Sequence, residues 1–181
     1  GIDVSAVSST IKDVLLGNLP IKEAVLTTVF PKFNLIPANL QLASFESQLY
    51  EKPVESPFFL LKNALGDIVD DYDYIIIDCP PSLGLLSINA LTCSDSVLVP
   101  VQCEYFAMEG LAAVLSSINS IKQKYNPDLT IEGFLLTMYD PKSQLTKEVE
   151  EQVRTFFKEN TFLVSIPRNK SISESQGKRC P

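Results

Sequence analysis

Asp71-Tyr72-Asp73-Tyr74-Ile75-Ile76-Ile77-Asp78-Cys79-Pro80-Pro81-Ser82-Leu83-Gly84 is the stretch around which the chain is organised. Three consecutive β-branched apolar residues, Ile75 to Ile77, with no polar alternation predict a strand buried on both faces, as parallel sheets require. Asp78 then falls at the carboxyl end of a central strand, the edge where open α/β sheets bind ligands. Pro80-Pro81 stops the strand and stiffens the turn after it. A fixed acid at that position suits a magnesium–nucleotide site. It equally suits an Asp that only caps the following turn, and the residues by themselves leave both readings open.

Upstream, Ser9-Thr10 caps a short helix carrying Ile11, Val14 and Leu15, which Gly17 ends. Pro20 opens a helix over Ile21–Thr27, and Phe33–Ile36 reads as a strand closed by Pro37. Asn39 caps a segment to Glu51, with Leu42, Phe45, Leu49 and Tyr50 on its inner side. Ser56 and Pro57 launch a helix that runs to Val69.

Downstream, a helix near Leu85–Thr92 precedes a strand at Ser96–Val101. A long helix over Phe106–Tyr125 leads to a strand at Leu129–Met138. The helix Ser143–Asn160 buries Leu145, Val149, Val153, Phe156 and Phe157 and sets Lys147, Glu151, Arg154 and Lys158 on the opposite face. A strand at Phe162–Ile166 closes the series before a polar tail, Pro167–Pro181. Strands alternating with helices predict right-handed crossovers and a mostly parallel sheet covered on both faces. The carboxyl ends of its strands carry Asp78, Gln102, Tyr139-Asp140 and Pro167-Arg168-Asn169 on one edge.

With 181 residues, 45% of them hydrophobic, the chain is long enough for one α/β domain with a substantial core. Its net charge of −7 is unevenly spread. Acidic residues dominate up to Pro141, and Lys and Arg outnumber Asp and Glu from Lys142 onward, which suits a local anionic partner on an acidic body. Four cysteines with no Cys-x-x-Cys pair, and no histidine, argue against zinc. They read as small buried thiols of a reduced, cytosolic protein. No apolar run is long enough to span a bilayer, so no membrane association is expected. A start at Gly1 and an end at Arg179-Cys180-Pro181 read as those of a piece of a longer polypeptide.

Tyr74–Gly84, Asn89-Ala90-Leu91, Val99-Pro100-Val101-Gln102 with Glu104–Gly110, Thr137-Met138-Tyr139-Asp140 and Ile166-Pro167-Arg168-Asn169 follow one another in an order that resembles the ParA/Soj family of partition ATPases. Gly1-Ile2-Asp3, Asp13-Val14-Leu15 and Leu35–Asn39 are similar to further stretches of that family. The resemblance spans nearly the whole chain and implies a single, incomplete three-layer P-loop NTPase-like domain over residues 1–181. It implies an ATPase with a deviant Walker A loop that forms a homodimer in the ATP state, binds DNA nonspecifically and is switched off by a ParB-type centromere-binding protein. Such a protein is expected in the bacterial cytoplasm, associated with the nucleoid.

Carried over position by position, Asp78 resembles the Walker B acid that holds Mg²⁺ through water, and Cys79, Pro80 and Pro81 resemble switch II. Met138-Tyr139 and Pro167-Arg168-Asn169 look like the edge that holds adenine. The family's basic C-terminal third implies DNA contacts from Arg154, Lys158, Arg168 and Lys170. The bland alternative for these cations is an ordinary solvated face, and Arg168 equally suits the nucleotide edge.

The departures carry equal weight. No Gly-x-x-x-x-Gly-Lys-[Ser/Thr] run occurs in the chain, and the family's switch I acid is absent as well. Without that loop there are no backbone donors or Lys for the phosphates. The chain on its own is expected neither to hold ATP tightly nor to hydrolyse it, and no catalytic residue is assigned in it. The absent part amounts to one βα unit of roughly 30 residues, and unpaired strand edges would make the chain prone to aggregate. A MinD-like, membrane-associated division regulator and a degenerate remnant without ATPase activity remain as alternatives. An iron–sulfur role for Cys79 and Cys103 is disfavoured, because two thiols fall short of the usual four-cysteine set.

Overall fold

The computed structural model describes residues 7–51, 53–82 and 84–178, so Gly1-Ile2-Asp3 and the terminal Arg179-Cys180-Pro181 lie outside the described residues. The chain forms two compact units that meet in sequence at Cys93 and Ser94.

In the first unit, Thr10 caps α1 (Ile11–Leu15): its backbone N–H and its hydroxyl both donate to the Asp13 carboxylate, at 2.9 and 2.7 Å. Gly17, at φ +72°, turns the chain out of the helix as expected. The predicted helix from Ile21 stops early, at α2 (Ile21–Ala24), and the chain straightens into β1 (Leu26–Thr27), paired antiparallel with β2 (Asn34–Leu35). The β-branched content of Val25, Thr27, Thr28 and Val29 favours extended backbone over another helical turn.

Asn39 caps as predicted, its side chain accepting from the Gln41 N–H at 3.0 Å, and a 3₁₀ turn leads into α3 (Phe45–Glu51). Phe45 and Leu49 point inward, whereas Tyr50, expected on the same side, stands in solvent.

The Ser56-Pro57 start is not used. α4 begins later, at Leu60, and ends at Leu65, followed by a 3₁₀ turn at Val69–Asp71. Asn89, on α5 (Leu85–Cys93), supplies the reason. Its buried side chain accepts from the Leu61 N–H at 3.1 Å and donates to the Pro57 and Leu85 carbonyls at 2.8 and 3.0 Å. A side chain from another helix thus takes up one of the orphan N–H groups at the start of α4. The unit's core consists of Val14, Ile21, Ala24 and Ile68, and of Leu15, Phe45, Leu49 and Leu61.

The predicted central strand Ile75–Ile77 is not a strand. Residues 74–80 are irregular, Ile76 is 91% exposed, and Ile75 is exposed as well. Only Ile77 turns inward, against the cluster built on Phe45 and Leu49. A buried parallel strand needs neighbours on its edges, and no strand among the described residues pairs with this segment.

In the second unit, β3 (Ser96–Gln102), α6 (Ala107–Lys124), β4 (Thr130–Tyr139), α7 (Gln144–Phe157) and β5 (Thr161–Pro167) alternate, and the strands form a parallel sheet in the order β3-β4-β5. Stepwise right-handed crossovers in one direction put α6 and α7 on the same face, where they touch each other and the sheet. The expected cover on both faces is therefore not seen within this unit: Val99 and Val101 of β3 are buried while Leu98 is exposed.

α7 buries Val149 and Val153, but Leu145 and Phe156, expected inside, are exposed. Gly133 faces a close approach: a Cβ there would lie 2.8 Å from the Asn160 carbonyl oxygen and 2.8 Å from the Phe162 ring. The expected polar tail folds instead into α8 (Lys170–Lys178), capped by Asn169, whose side chain accepts from the Ser171 N–H at 2.9 Å.

Candidate nucleotide and magnesium site

Asp78, Cys79, Pro80 and Pro81 lie in the first unit on an exposed loop whose two ends are fixed. Ile77 anchors the entry in the core. At the exit, the Glu46 carboxylate of α3 accepts from the Leu85 N–H at 2.8 Å, capping α5 from another helix, and the Ser87 hydroxyl donates to the Ser82 carbonyl. A Cβ at position 84 would meet that same Glu46 oxygen at 2.8 Å, so a larger residue there would have to displace the Glu46 carboxylate from the Leu85 N–H. The Asp78 carboxylate is exposed and takes no hydrogen bond or ion pair from the described residues. A held, unengaged carboxylate fits a hard, hydrated cation such as Mg²⁺. Among the described residues no three His, Cys, Asp or Glu side chains cluster to hold a metal alone.

The second unit gathers Met138, Tyr139, Pro167, Arg168 and Asn169 at the carboxyl ends of its strands. Tyr139 pairs with Pro167 in register, and the Arg168 N–H donates to the Tyr139 carbonyl at 2.9 Å. Beside them opens a cleft of about 840 Å³, lined by Gln102, Cys103, Glu104, Met138, Asp140 and Arg168 among others. Met138 adopts φ +53°, a left-handed conformation that costs a non-glycine residue on the order of 1 kcal/mol and is concentrated at functional sites. The Arg168 guanidinium reaches Glu104 at 3.4 Å across exposed surface, a contact of little energetic weight. The cleft has room for a nucleobase. Neither unit offers a glycine-rich phosphate loop.

Beneath this edge, Glu150 of α7 accepts from Arg154 Nε at 2.8 Å. Arg154 continues the chain of contacts, donating through Nη1 to the Phe162 carbonyl at 3.1 Å and through Nη2 to the Leu163 carbonyl at 3.3 Å. The nearby Tyr139 hydroxyl, followed by the bond from Arg154, holds the Glu150 carboxyl below its ordinary range, and the Glu150 carboxylate raises the Tyr139 phenol. Burial, and then the Glu150 charge, push the Cys103 thiol up.

A carboxyl depressed on folding stabilises the fold above its unfolded pKa, and that contribution is lost as pH falls through the folded value. Wild-type thermal stability should therefore fall more than that of Glu150→Gln as pH drops below the ordinary glutamate value of 4.5. Parallel melting curves for the two proteins across that range check this expectation.

Of the four cations read as DNA-facing, Lys158 and Lys170 are exposed. Arg154 is half-buried and engaged with Glu150 and two β5 carbonyls, so its position is explained by the fold alone. Arg168 belongs to the cleft. The sequence reading missed Glu46, Glu104 and Glu150. Only Glu150 left a local signal, four residues before Arg154 on one helix.

Residues 1–131 match the family model described as an AAA domain. The chain is 44% identical over 174 residues to the chromosome partitioning protein ParA of Myxococcus xanthus, covering 96% of this chain and 61% of that protein. It is 44% identical over 175 residues to the sporulation initiation inhibitor protein Soj of Bacillus subtilis, covering 97% of this chain and 68% of Soj. The chain belongs to the ParA/Soj family of partition ATPases. It spans about three fifths to two thirds of the length of these ParA/Soj relatives.

The ParA/Soj chain also superposes on a crystal structure of cobyrinic acid a,c-diamide synthase from Mycobacterium smegmatis with bound ATP analog and magnesium. The TM-score is 0.84 at 36% identity, over 93% of this chain and 66% of that one. The α/β class and the P-loop NTPase-like architecture expected from the sequence hold, with the parallel sheet carried by the second unit. No described helix is long and apolar enough to cross a membrane.

Proposed function

We propose that this chain carries the magnesium-binding and base-binding parts of an ATP-dependent DNA-partition switch. The observation that carries the reading is Asp78: an exposed carboxylate, unengaged by the described residues, on a loop pinned at both ends, within the Asp-Cys-Pro-Pro run of a ParA/Soj-family chain. Asp78 would hold Mg²⁺ through coordinated water, and the ion would neutralise phosphate charge during transfer to water. Cys79, Pro80 and Pro81 form the segment that responds to that ion. Main-chain groups at Met138-Tyr139 and Pro167-Asn169 line the edge for adenine, with Arg168 beside it.

The phosphates need a glycine-rich loop and Lys that this sequence does not contain, so ATP hydrolysis requires a longer polypeptide that supplies them. Alone, the 181 residues neither hydrolyse ATP nor bind it tightly. The natural protein works as a nucleotide-dependent homodimer in the bacterial cytoplasm and on the nucleoid. It binds DNA without sequence preference and answers to a ParB-type centromere-binding protein.

Lys158 and Lys170 carry part of the DNA contact, because phosphate binding asks only for exposed cations on one surface. In the natural protein, Lys158→Ala with Lys170→Ala should weaken binding of random-sequence duplex. It should also shrink the slope of log K against log salt by about 2, leaving ATP affinity intact. Filter binding across a salt series measures this. An unchanged slope would remove both lysines from the DNA surface.

A further inference from the structure

The loop that follows Asp78 gives its neighbours little to hold. Pro80 and Pro81 carry no N–H, so in the middle of the segment only carbonyl oxygens are available to fix the main chain. Ser87 supplies the donor. It is the third residue of α5, and a helical side chain leans toward the helix N-terminus. Its hydroxyl accordingly reaches back to the Ser82 carbonyl, with the Pro80 carbonyl 3.5 Å away. Ser87 is buried, which shields that bond from competing water.

α5 is itself held from two other helices. Asn89 clamps it to the start of α4 through the Leu61 N–H and the Pro57 carbonyl. Glu46 of α3 accepts from the Leu85 N–H at 2.8 Å, at the point where the loop becomes helix. A Cβ at position 84 would lie 2.8 Å from the same Glu46 oxygen, so this bond and a larger residue at 84 compete for one space.

We propose that Glu46 and Ser87 are positioning residues for the magnesium ion, a latch that fixes the exit of the loop and thereby the place of the Asp78 carboxylate. The proposal rests on the reading of Asp78 as the magnesium acid and deepens it. Neither residue touches metal or nucleotide. The Asp78 carboxylate takes no hydrogen bond or ion pair from the described residues, so the main chain on either side sets where it stands. Ile77 secures the entry by packing in the core, and the exit depends on Glu46 and Ser87. A binding group must be held within about 0.5 Å of its productive place, and supporting residues outside the ligand shell supply that precision.

Glu46 is exposed, so Glu46→Ala keeps the fold and tests the latch in the natural protein. ATP binding followed by calorimetry over a Mg²⁺ series gives the Mg²⁺ concentration at which half the gain in affinity is reached. That concentration should rise about tenfold in Glu46→Ala and in Ser87→Ala, with metal-free ATP affinity unchanged. Glu46→Gln, which keeps an acceptor for the Leu85 N–H, and Ser87→Thr, which keeps the hydroxyl, should restore most of the response. Gly84→Ala should match Glu46→Ala, and the two together should do no more than either alone, because each removes the same bond. Without metal or nucleotide, the Leu85 amide should exchange faster in Glu46→Ala than in the wild type. An unchanged Mg²⁺ requirement in either Ala variant, with Asp78→Ala losing the response, would overturn the latch and leave Asp78 in the site. Equal loss of metal-free and metal-dependent binding would mark a merely structural role and overturn it as well. An Asp78→Ala protein that still answers to Mg²⁺ would overturn the magnesium reading, and the latch with it.

Discussion

Asp78→Ala in the natural protein is expected to abolish Mg²⁺-dependent binding and hydrolysis of ATP, a loss of about 100-fold or more, because the ion supplies charge neutralisation that no side chain replaces. The fold should be almost indifferent to the change. The carboxylate is exposed and makes no hydrogen bond or ion pair with the described residues, and such surface substitutions stay within about 0.5 kcal/mol. Calorimetric titration with ATP in the presence of Mg²⁺ or of a chelator separates the two effects. The wild type should lose affinity on chelation, and the Ala variant should show the weak binding in both buffers. An Ala variant that still gains affinity from Mg²⁺ would remove Asp78 from the site.

The second large effect concerns stability. Phe134 of β4 is almost fully buried and stacks on Phe157 of α7 with ring centroids 3.9 Å apart and planes at 25°. Phe134→Ala should cost about 3–5 kcal/mol, the range for an aromatic side chain removed from a packed core. It also withdraws the surface on which α7 rests, beneath the layer that holds Glu150. Urea unfolding should show a lower midpoint at unchanged slope. A midpoint shift worth less than about 1 kcal/mol would mean that the sheet and α7 are not packed through this pair. Phe156→Ala, next in sequence but exposed, is the internal control and should change little.

The elements readable from sequence were those whose signal is local or spread over many residues. β3, β4, β5, α6 and α7 were legible because unbroken apolar runs and helical spacing over ten or more residues leave little choice, and their boundaries shifted by one residue, except that α7 ends at Phe157, three residues before the expected Asn160, and gives way to a 3₁₀ turn. α1 was legible through the Ser9-Thr10 cap, the spacing of Ile11, Val14 and Leu15, and Gly17.

Where two parties decide, one sequence segment misled. Ile75–Ile77 has the composition of a buried strand, but a strand is a property of a pair, and no partner stands beside it among the described residues. Ser56-Pro57 is a good helix start by local chemistry, yet Asn89, far along the chain, moves the start to Leu60. The helix read from Ile21 ran past a β-branched stretch that should have stopped it. α8 was taken for a tail because its composition is polar, although Asn169 is a proper cap for it.

The site shows the same division. The placement of Met138, Tyr139 and Arg168 at strand ends was legible, whereas Asp78, expected at the end of a strand, lies on an irregular segment. Arg154 was legible as a cation on the right helix, but its direction was not: whether it faces solvent or β5 depends on carbonyls of Phe162 and Leu163 contributed by another element. Glu46 acts across the fold, on the Leu85 N–H, and nothing in its immediate sequence marks it, whereas Glu150 is marked by Arg154 four residues on along the same helix.

Amide hydrogen exchange on the natural protein, with and without MgATP, tests the nucleotide-site assignment most directly. Protection is expected at Asp78–Ser82, Met138–Asp140 and Pro167–Asn169 together, lost on chelation of Mg²⁺ at the first segment more than at the other two. Protection that spares all three segments, or that leaves Asp78–Ser82 unaffected by the metal, would contradict it.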